Sequence, residues 1–268
     1  MVVADFDPAT PSIARIYDYL LNGKDNFAVD REIAERLMIA APLTVAVTRE
    51  NRQFLARAVA WAASQGITQF IDLGCGMPTV PNTHETALAI NAHTRVAYID
   101  NDAVVLNHLR ALAAKDDPGV TVIEGDAGEA DTIVSAVAEG IDLSAPACLL
   151  MGFLLHFFAP QDARDLVARY VKALAPGSYV VLSVGRADGE EAKQGFSAYS
   201  TGGTKVYNHS VADFASFFGS LELVPPGVVD AREWYPGQAP LDLPPRDGQV
   251  IVGVAQVAAV LKVAVQPG

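Results

Sequence analysis

The chain has 268 residues, of which 51% are hydrophobic and 19% charged, enough apolar material for one large buried core and too little charge for global disorder. Acids outnumber Lys and Arg by 31 to 19 for a net charge of −12, so an extended phosphate-binding face is excluded and no nucleic-acid partner is expected. Two cysteines, Cys75 and Cys148, form neither a disulfide framework nor a zinc-type spacing, and an acidic start with no long apolar run predicts a cytoplasmic protein without signal peptide or membrane span.

The first 66 residues read as helical. Ile13, Ile16, Tyr17 and Leu20 recur three and four apart, the spacing of one helix face, and Asn22-Gly23 ends that helix as a C-cap pair. A second helix is predicted over 28–39, stopping before Pro42, and a third over about 49–64, stopping at Gly66. Residues 17–27 (YDYLLNGKDNF) are denser in polar and aromatic groups than a plain covering helix requires.

From Thr68 onward strands and helices alternate. Strands are predicted at 69–73, 95–99, 120–124, 147–151 and 178–184, and helices at 83–91, 102–114, 129–138 and 161–174. This alternation implies a doubly wound α/β fold with a mostly parallel sheet. A short helix is predicted at 213–218, and two later strands, at 221–224 and 249–257, joined by a long Pro-rich loop (225–247) without a convincing helix, suggest an antiparallel pair at the sheet edge, for seven strands in all. The apolar last strand leaves a homodimer contact open.

The chemistry concentrates at strand ends. In FIDLGCGMPT (70–79) an apolar strand leads through Asp72 into Gly74 and Gly76, where glycine lets the backbone approach a ligand. Asp100 ends the second strand and suits a ribose diol, with Asn101 beside it, and Asp102 reads as the N-cap of the next helix. Gly125-Asp126-Ala127 follows the third strand; there the Asp126 carboxylate and the Ala127 amide suit an adenine ring, with a plain turn aspartate as the alternative. Met151-Gly152 closes the fourth strand, His84 sits in a helix first turn with Asn82 or Thr83 as N-cap, and His156 lies in an apolar run as either a general base or a satisfied core residue. Thr79 stands where a dinucleotide fingerprint has its third glycine, and the gap to Asp100 exceeds the usual span of about 20 residues, which disfavours a nicotinamide enzyme. No residue cluster suggests a metal site.

These motifs resemble those of the class I S-adenosylmethionine-dependent methyltransferases. More narrowly, the segments at 11–32, 76–85, 98–112, 154–158 and 174–183 resemble an actinobacterial S-adenosyl methyltransferase family formerly known as a domain of unknown function. The resemblance implies a Rossmann-like methyltransferase sheet with a helical cover over residues 1–66 and a cofactor-binding core over 67–268. It implies S-adenosyl-L-methionine as cofactor, S-adenosyl-L-homocysteine as product, and an unidentified, small-molecule methyl acceptor. Asp72, Gly74, Gly76 and His84 would face the methionyl end, Asp100 and Asn101 the ribose, Asp126 and Ala127 the adenine, and backbone carbonyls at Met151 and Gly152 the ammonium. In related enzymes N-terminal helices fold over the cofactor, which nominates Tyr17, Tyr19, Asn22, Lys24, Asn26 and Phe27 as the cover's contacts. Residues 195–208, a polar, Gly-rich loop with Tyr199, Lys205 and Tyr207, read as either an acceptor-side rim or an ordinary flexible connector. A non-catalytic sensor of the same cofactor would carry the same binding motifs.

Overall fold

The computed structural model of the chain describes residues 7–116, 119–186, 205–237 and 249–258. Each apolar run that ends in an acid or glycine becomes a parallel strand: β1 (Gln69–Leu73), β2 (Arg95–Asp100), β3 (Val120–Glu124), β4 (Cys148–Gly152) and β5 (Tyr179–Arg186). Their order in the sheet is β3-β2-β1-β4-β5, so the winding reverses between β1 and β4. That reversal opens a crevice at the strands' carboxyl ends. Two short strands, β6 (Glu222–Leu223) and β7 (Val229–Asp230), and the long β8 (Gln249–Gln256) complete the 8-stranded sheet. β8 runs antiparallel to β5, from Gln256 opposite Tyr179 to Gln249 opposite Arg186. β6 and β7 pair with its other edge, which blunts an otherwise open apolar edge. β7 lies where the sequence reads as loop: two residues carry no periodicity, and their pairing with β8 alone makes them a strand.

Side chains alternate across the strands, as the pleat requires. Phe70, Val96, Tyr98, Leu150 and Val181 enter one core, with α3 (Thr44–Ser64), α4 (Thr83–Leu88) and α5 (Ala103–Asp116). Ile71, Ala97, Ile99, Leu149 and Val180 enter the other, with α6 (Ala130–Val137), α7 (Pro160–Ala173) and α8 (Val211–Ser216). α3 is held to the sheet by aromatic edges: Trp234 lies 5.4 Å from Phe54 and 5.9 Å from Trp61, and Trp61 lies 4.9 Å from Tyr179. α3 begins at Thr44 rather than near Arg49. Its first turn, TVAVT, is rich in β-branched residues with weak helix propensity, and burial of one face overrides that preference.

α1 (Ile13–Leu20) and α2 (Ala28–Ala40) share a small core of Ile16, Leu20, Ile33, Ala34 and Leu37. Their polar residues build the hairpin. Asn22 takes a left-handed φ of 63°, and the buried Asp18 accepts from the Asp25 amide at 3.0 Å and from Asn26 Nδ2 at 2.9 Å. Asp30, fully buried, accepts from the amides of Ser12 and Phe27, both at 2.9 Å, and pairs with Arg15 Nε at 2.8 Å. Removing one partner of a buried pair strands the other's charge. Asp30→Ala is therefore expected to cost about 3–5 kcal/mol and to melt α1 and α2 ahead of the sheet. Hydrogen exchange should show lost protection in 13–40 with β1, β4 and β5 unchanged; uniform loss, or none, would refute this division.

Candidate functional site

A cavity of about 800 Å³ lies at the carboxyl ends of β1, β2, β4 and β5, under α1 and the first half of α3. Its floor is the turn after β1. Gly74 and Gly76 have φ of 61° and 67°, a conformation costly for any residue with a Cβ. A Cβ on Gly74 would also lie 3.0 Å from Leu154 Cδ1. The turn is pinned to β2: the Gly74 and Cys75 amides donate to the Ile99 carbonyl at 2.9 and 3.2 Å, and the Gly76 amide donates to Asp100 Oδ2 at 2.9 Å.

Three acids stand around this floor. Asp72 accepts from Thr83 Oγ1 at 2.7 Å, and burial pushes its carboxyl up to about 6, against the pull of Arg52. Asp100 also accepts the Asp102 amide at 2.9 Å, and burial raises its pKa. Each of its oxygens keeps room for a further donor. Asp126, exposed, accepts the Gly128 amide at 2.8 Å and still lines the cavity with Ala127 and Asn101. Asp102 caps α5 as the sequence predicts, through Val104 N at 2.7 Å. Its second oxygen takes the Ser12 hydroxyl and lies 3.6 Å from Arg15, tying α1 to the sheet.

The far wall follows β4. Gly152 lines the cavity, and a Cβ there would lie 2.6 Å from Leu55 Cδ1. Phe153 takes a left-handed φ of 53°, a strain of order 1–3 kcal/mol for a residue with a bulky side chain. A 3-10 turn at Leu155–Phe157 then presents His156, whose ring lies 5.6 Å from Phe153 and 4.4 Å from Phe157. Burial, with a smaller push from His209, lowers its imidazole to about 3. It is a neutral ring at physiological pH and too weak a base to hold a proton there.

Of the nominated residues, Asp72, Gly74, Gly76, Asp100, Asn101, Asp126, Ala127, Gly152, His156 and Tyr17 meet in this one cavity. The others do not line it. His84 turns aside, its backbone amide donating to Tyr98 Oη at 2.9 Å and its Nδ1 2.8 Å from the same oxygen. Met151 is fully buried in the core beneath the sheet. Asn22 and Lys24 are exposed at the α1–α2 turn, Asn26 is committed to Asp18, and Phe27 packs under the Arg15 guanidinium at 5.1 Å. Tyr19 reaches Glu35 at 3.2 Å. The left-handed Asn22 turns the chain off the α1 face that meets the cavity. Tyr199 lies outside the described residues; Tyr207 packs against Lys205, and between them Val206 lines the cavity.

The residues that sequence reasoning missed sit on α3. Thr44, Val47, Thr48, Asn51, Arg52 and Leu55 line the cavity together, at the three-and-four spacing of one helix face. Polar residues at core-facing positions were the available signal. Arg52 reaches the carbonyls of Cys75 and Met77 at 3.4 and 3.3 Å and stacks 5.2 Å from the Tyr17 ring, while its Nε is buried without a hydrogen-bond partner.

Residues 2–258 match the S-adenosyl methyltransferase family. The chain belongs to this family. With membership come the enzyme class and the cofactor, S-adenosylmethionine, and the cavity's acids, glycine turn and spare guanidinium N–H fit a ligand carrying ammonium, carboxylate and ribose groups. A candidate methyltransferase from Thermobifida fusca has a solved structure that is 36% identical, with TM-score 0.86 over 95% of this chain and 97% of that one. A DUF574 family protein from Streptomyces avermitilis is 33% identical, also with TM-score 0.86, over 93% and 98%. A carboxy-S-adenosyl-L-methionine synthase from Alteromonas mediterranea is 23% identical over 63% of this chain, which spans only 65% of that protein's length. Among the described residues no helix is long and apolar enough to cross a membrane.

The neutrality of His156 is directly measurable. Its imidazole nitrogen shifts should remain those of a neutral ring from pH 8 down to pH 5; a titration midpoint near 6.5 would show that the ring is not buried as described.

Proposed function

We propose that this methyltransferase binds S-adenosylmethionine along the ends of β1, β2 and β3 and methylates a small-molecule acceptor against the wall formed by β4 and β5. The observation that carries the reading is the meeting of Asp72, Asp100 and Asp126, from three adjacent strand ends, around one left-handed glycine turn. On this reading Asp72 receives the ammonium of the methionyl end, and Arg52, with its buried free Nε–H, receives the carboxylate. Asp100 accepts from the ribose hydroxyls with its remaining lone pairs. Asp126 and Ala127 face the adenine. Residues 1–66 act as a cover on the core at 67–268, with α3 belonging to both.

The cofactor supplies a methyl group already activated on a sulfonium. The chain's task is therefore to position a nucleophile and exclude water. Phe153, Phe157 and the neutral His156 ring provide an apolar wall for that purpose. A base as weak as His156 favours acceptors that need little proton removal, and it is a poor fit to the general-base role.

Calorimetric titration with S-adenosylmethionine and S-adenosylhomocysteine, with NAD and NADP as controls, tests the site. Both sulfur compounds should bind and the dinucleotides should not. Asp100→Ala and Arg52→Met should each weaken binding at least about tenfold, the worth of one charge-assisted contact. Tight NAD binding, or full affinity in both variants, would refute the assignment. Formation of S-adenosylhomocysteine with any acceptor of a panel would exclude the sensor reading.

Affinity should also follow the ionisation of Asp72. Its carboxyl titrates near 6 in the free protein, and an ammonium favours the ionised form, so binding tightens as pH rises through 6 and levels above 7. The expected loss is about tenfold between pH 7.5 and pH 5, and it should vanish in Asp72→Asn. A pH-independent affinity would show that Asp72 does not face the cation.

A further inference from the structure

One hydrogen-bond chain crosses the cavity from the cover to the far wall. Tyr17 Oη on α1 donates to the Thr48 carbonyl at 3.1 Å and accepts from Asn51 Nδ2 at 2.9 Å. Asn51 Oδ1 accepts from Ser183 Oγ on β5 at 2.6 Å. Ser183 Oγ in turn accepts from the Phe153 amide at 3.1 Å, sharing that N–H with the Ser183 carbonyl at the same distance. Every donor in this series has an acceptor. Its two middle members are buried, Asn51 at 2% exposure and Ser183 at 0%. Buried networks with all members satisfied fix one arrangement of the groups they join.

What they join here is not incidental. At one end, the Tyr17 ring lies under the Arg52 guanidinium, 5.2 Å away. At the other, Phe153 holds its left-handed backbone at the point where β4 turns into the cavity wall. That turn sets Leu154 against Gly74 and carries the His156 ring. A Phe153 that relaxed to ordinary φ would move all three.

We propose that Asn51 and Ser183 are positioning residues that hold Tyr17 and the Phe153 amide at two ends of one relay. Seating of the helical cover over the glycine turn and the shape of the acceptor-side wall are then a single coupled state. The binding consequence rests on the proposed cofactor site; the structural coupling does not, and the test separates them.

Tyr17→Phe keeps the ring against Arg52 and against the Phe153 ring 6.1 Å away and removes only the hydroxyl, and Ser183→Ala removes the side-chain link while leaving the Phe153 amide its bond to the Ser183 carbonyl. Hydrogen exchange on the free protein comes first. The Phe153 amide should exchange at least about fivefold faster in both variants, with β1 and β4 core amides unchanged. Acceleration in Tyr17→Phe is decisive, because that hydroxyl does not touch the Phe153 amide. Unchanged exchange at Phe153 in Tyr17→Phe would overturn the relay, and so would acceleration spread over the whole sheet. S-adenosylhomocysteine titration of the two variants and their combination follows. Independent sites multiply their losses, whereas the relay predicts that the double variant binds no more than about twofold worse than the weaker single. Multiplying losses would overturn the coupling. Absence of binding by the wild type would refute the cofactor site and leave the exchange result to decide the relay.

Discussion

The contact on which the site depends is the acceptance of the Gly76 amide by the Asp100 carboxylate. Asp100 ends β2 and Gly76 belongs to the turn after β1, and the two strands are in register, Leu73 beside Ile99. One buried carboxylate thereby fixes the turn to its neighbouring strand, while its other oxygen fixes the start of the next helix through Asp102. The left-handed glycines are affordable because the turn has nowhere else to go. The carbonyls of Cys75 and Met77, aimed by that turn, draw in Arg52. Arg52 in turn seats Tyr17, and with it α1. The cover is positioned by a series of contacts that begins at the end of a strand.

α3 is the element that makes this series possible. Its second half packs Phe54, Ala58 and Ala62 into the core of the sheet, and its first half presents Asn51 and Arg52 to the cavity. A helix anchored by core burial holds polar groups more rigidly than a loop does. α1 and α2 lack that anchorage. Their own core is small, and their attachment runs through buried charge, Arg15 with Asp30 and the bonds to Asp102. Charge pairs of this kind specify geometry more than they add stability. The cover is thus a precisely placed but thinly founded part of the molecule.

The sheet was legible in the sequence because parallel strands buried on both faces read as short apolar runs, and the cavity-lining acids sit at their ends. Asp72, Asp100 and Asp126 could be placed on one edge from order alone. The N-terminal segment, where most of the nominated side chains do not line the cavity, reads ambiguously for a physical reason. Asn22, Lys24, Asn26 and Phe27 look like contacts because polar and aromatic residues cluster there, yet a tight helical hairpin needs the same residue types. Asp18 needs Asn26 as a donor, and Asn22 tolerates the left-handed turn. His84 lies next to the glycine loop in sequence, but its ring turns to Tyr98 instead of the cavity. Arg52 and Asn51 went unread because the third helix carries no motif beyond its stop at Gly66, and it is polar members of one helix face that line the cavity.

The charges in the cavity discriminate among ligands. Burial holds the Asp72 and Asp100 carboxyls above their ordinary range, so the free site resists accumulating negative charge. A ligand that brings positive charge reverses that penalty, since opposite charge in a poorly solvated space favours the ionised acid. S-adenosylmethionine carries a sulfonium as well as an ammonium; its demethylated product keeps only the ammonium. On the proposed reading, the ammonium at Asp72 is the cation that keeps that acid ionised. The same burial that makes the empty site reluctant to charge therefore favours a ligand that brings an ammonium to Asp72. That preference arises from where Asp72 and Asp100 sit, buried at strand ends.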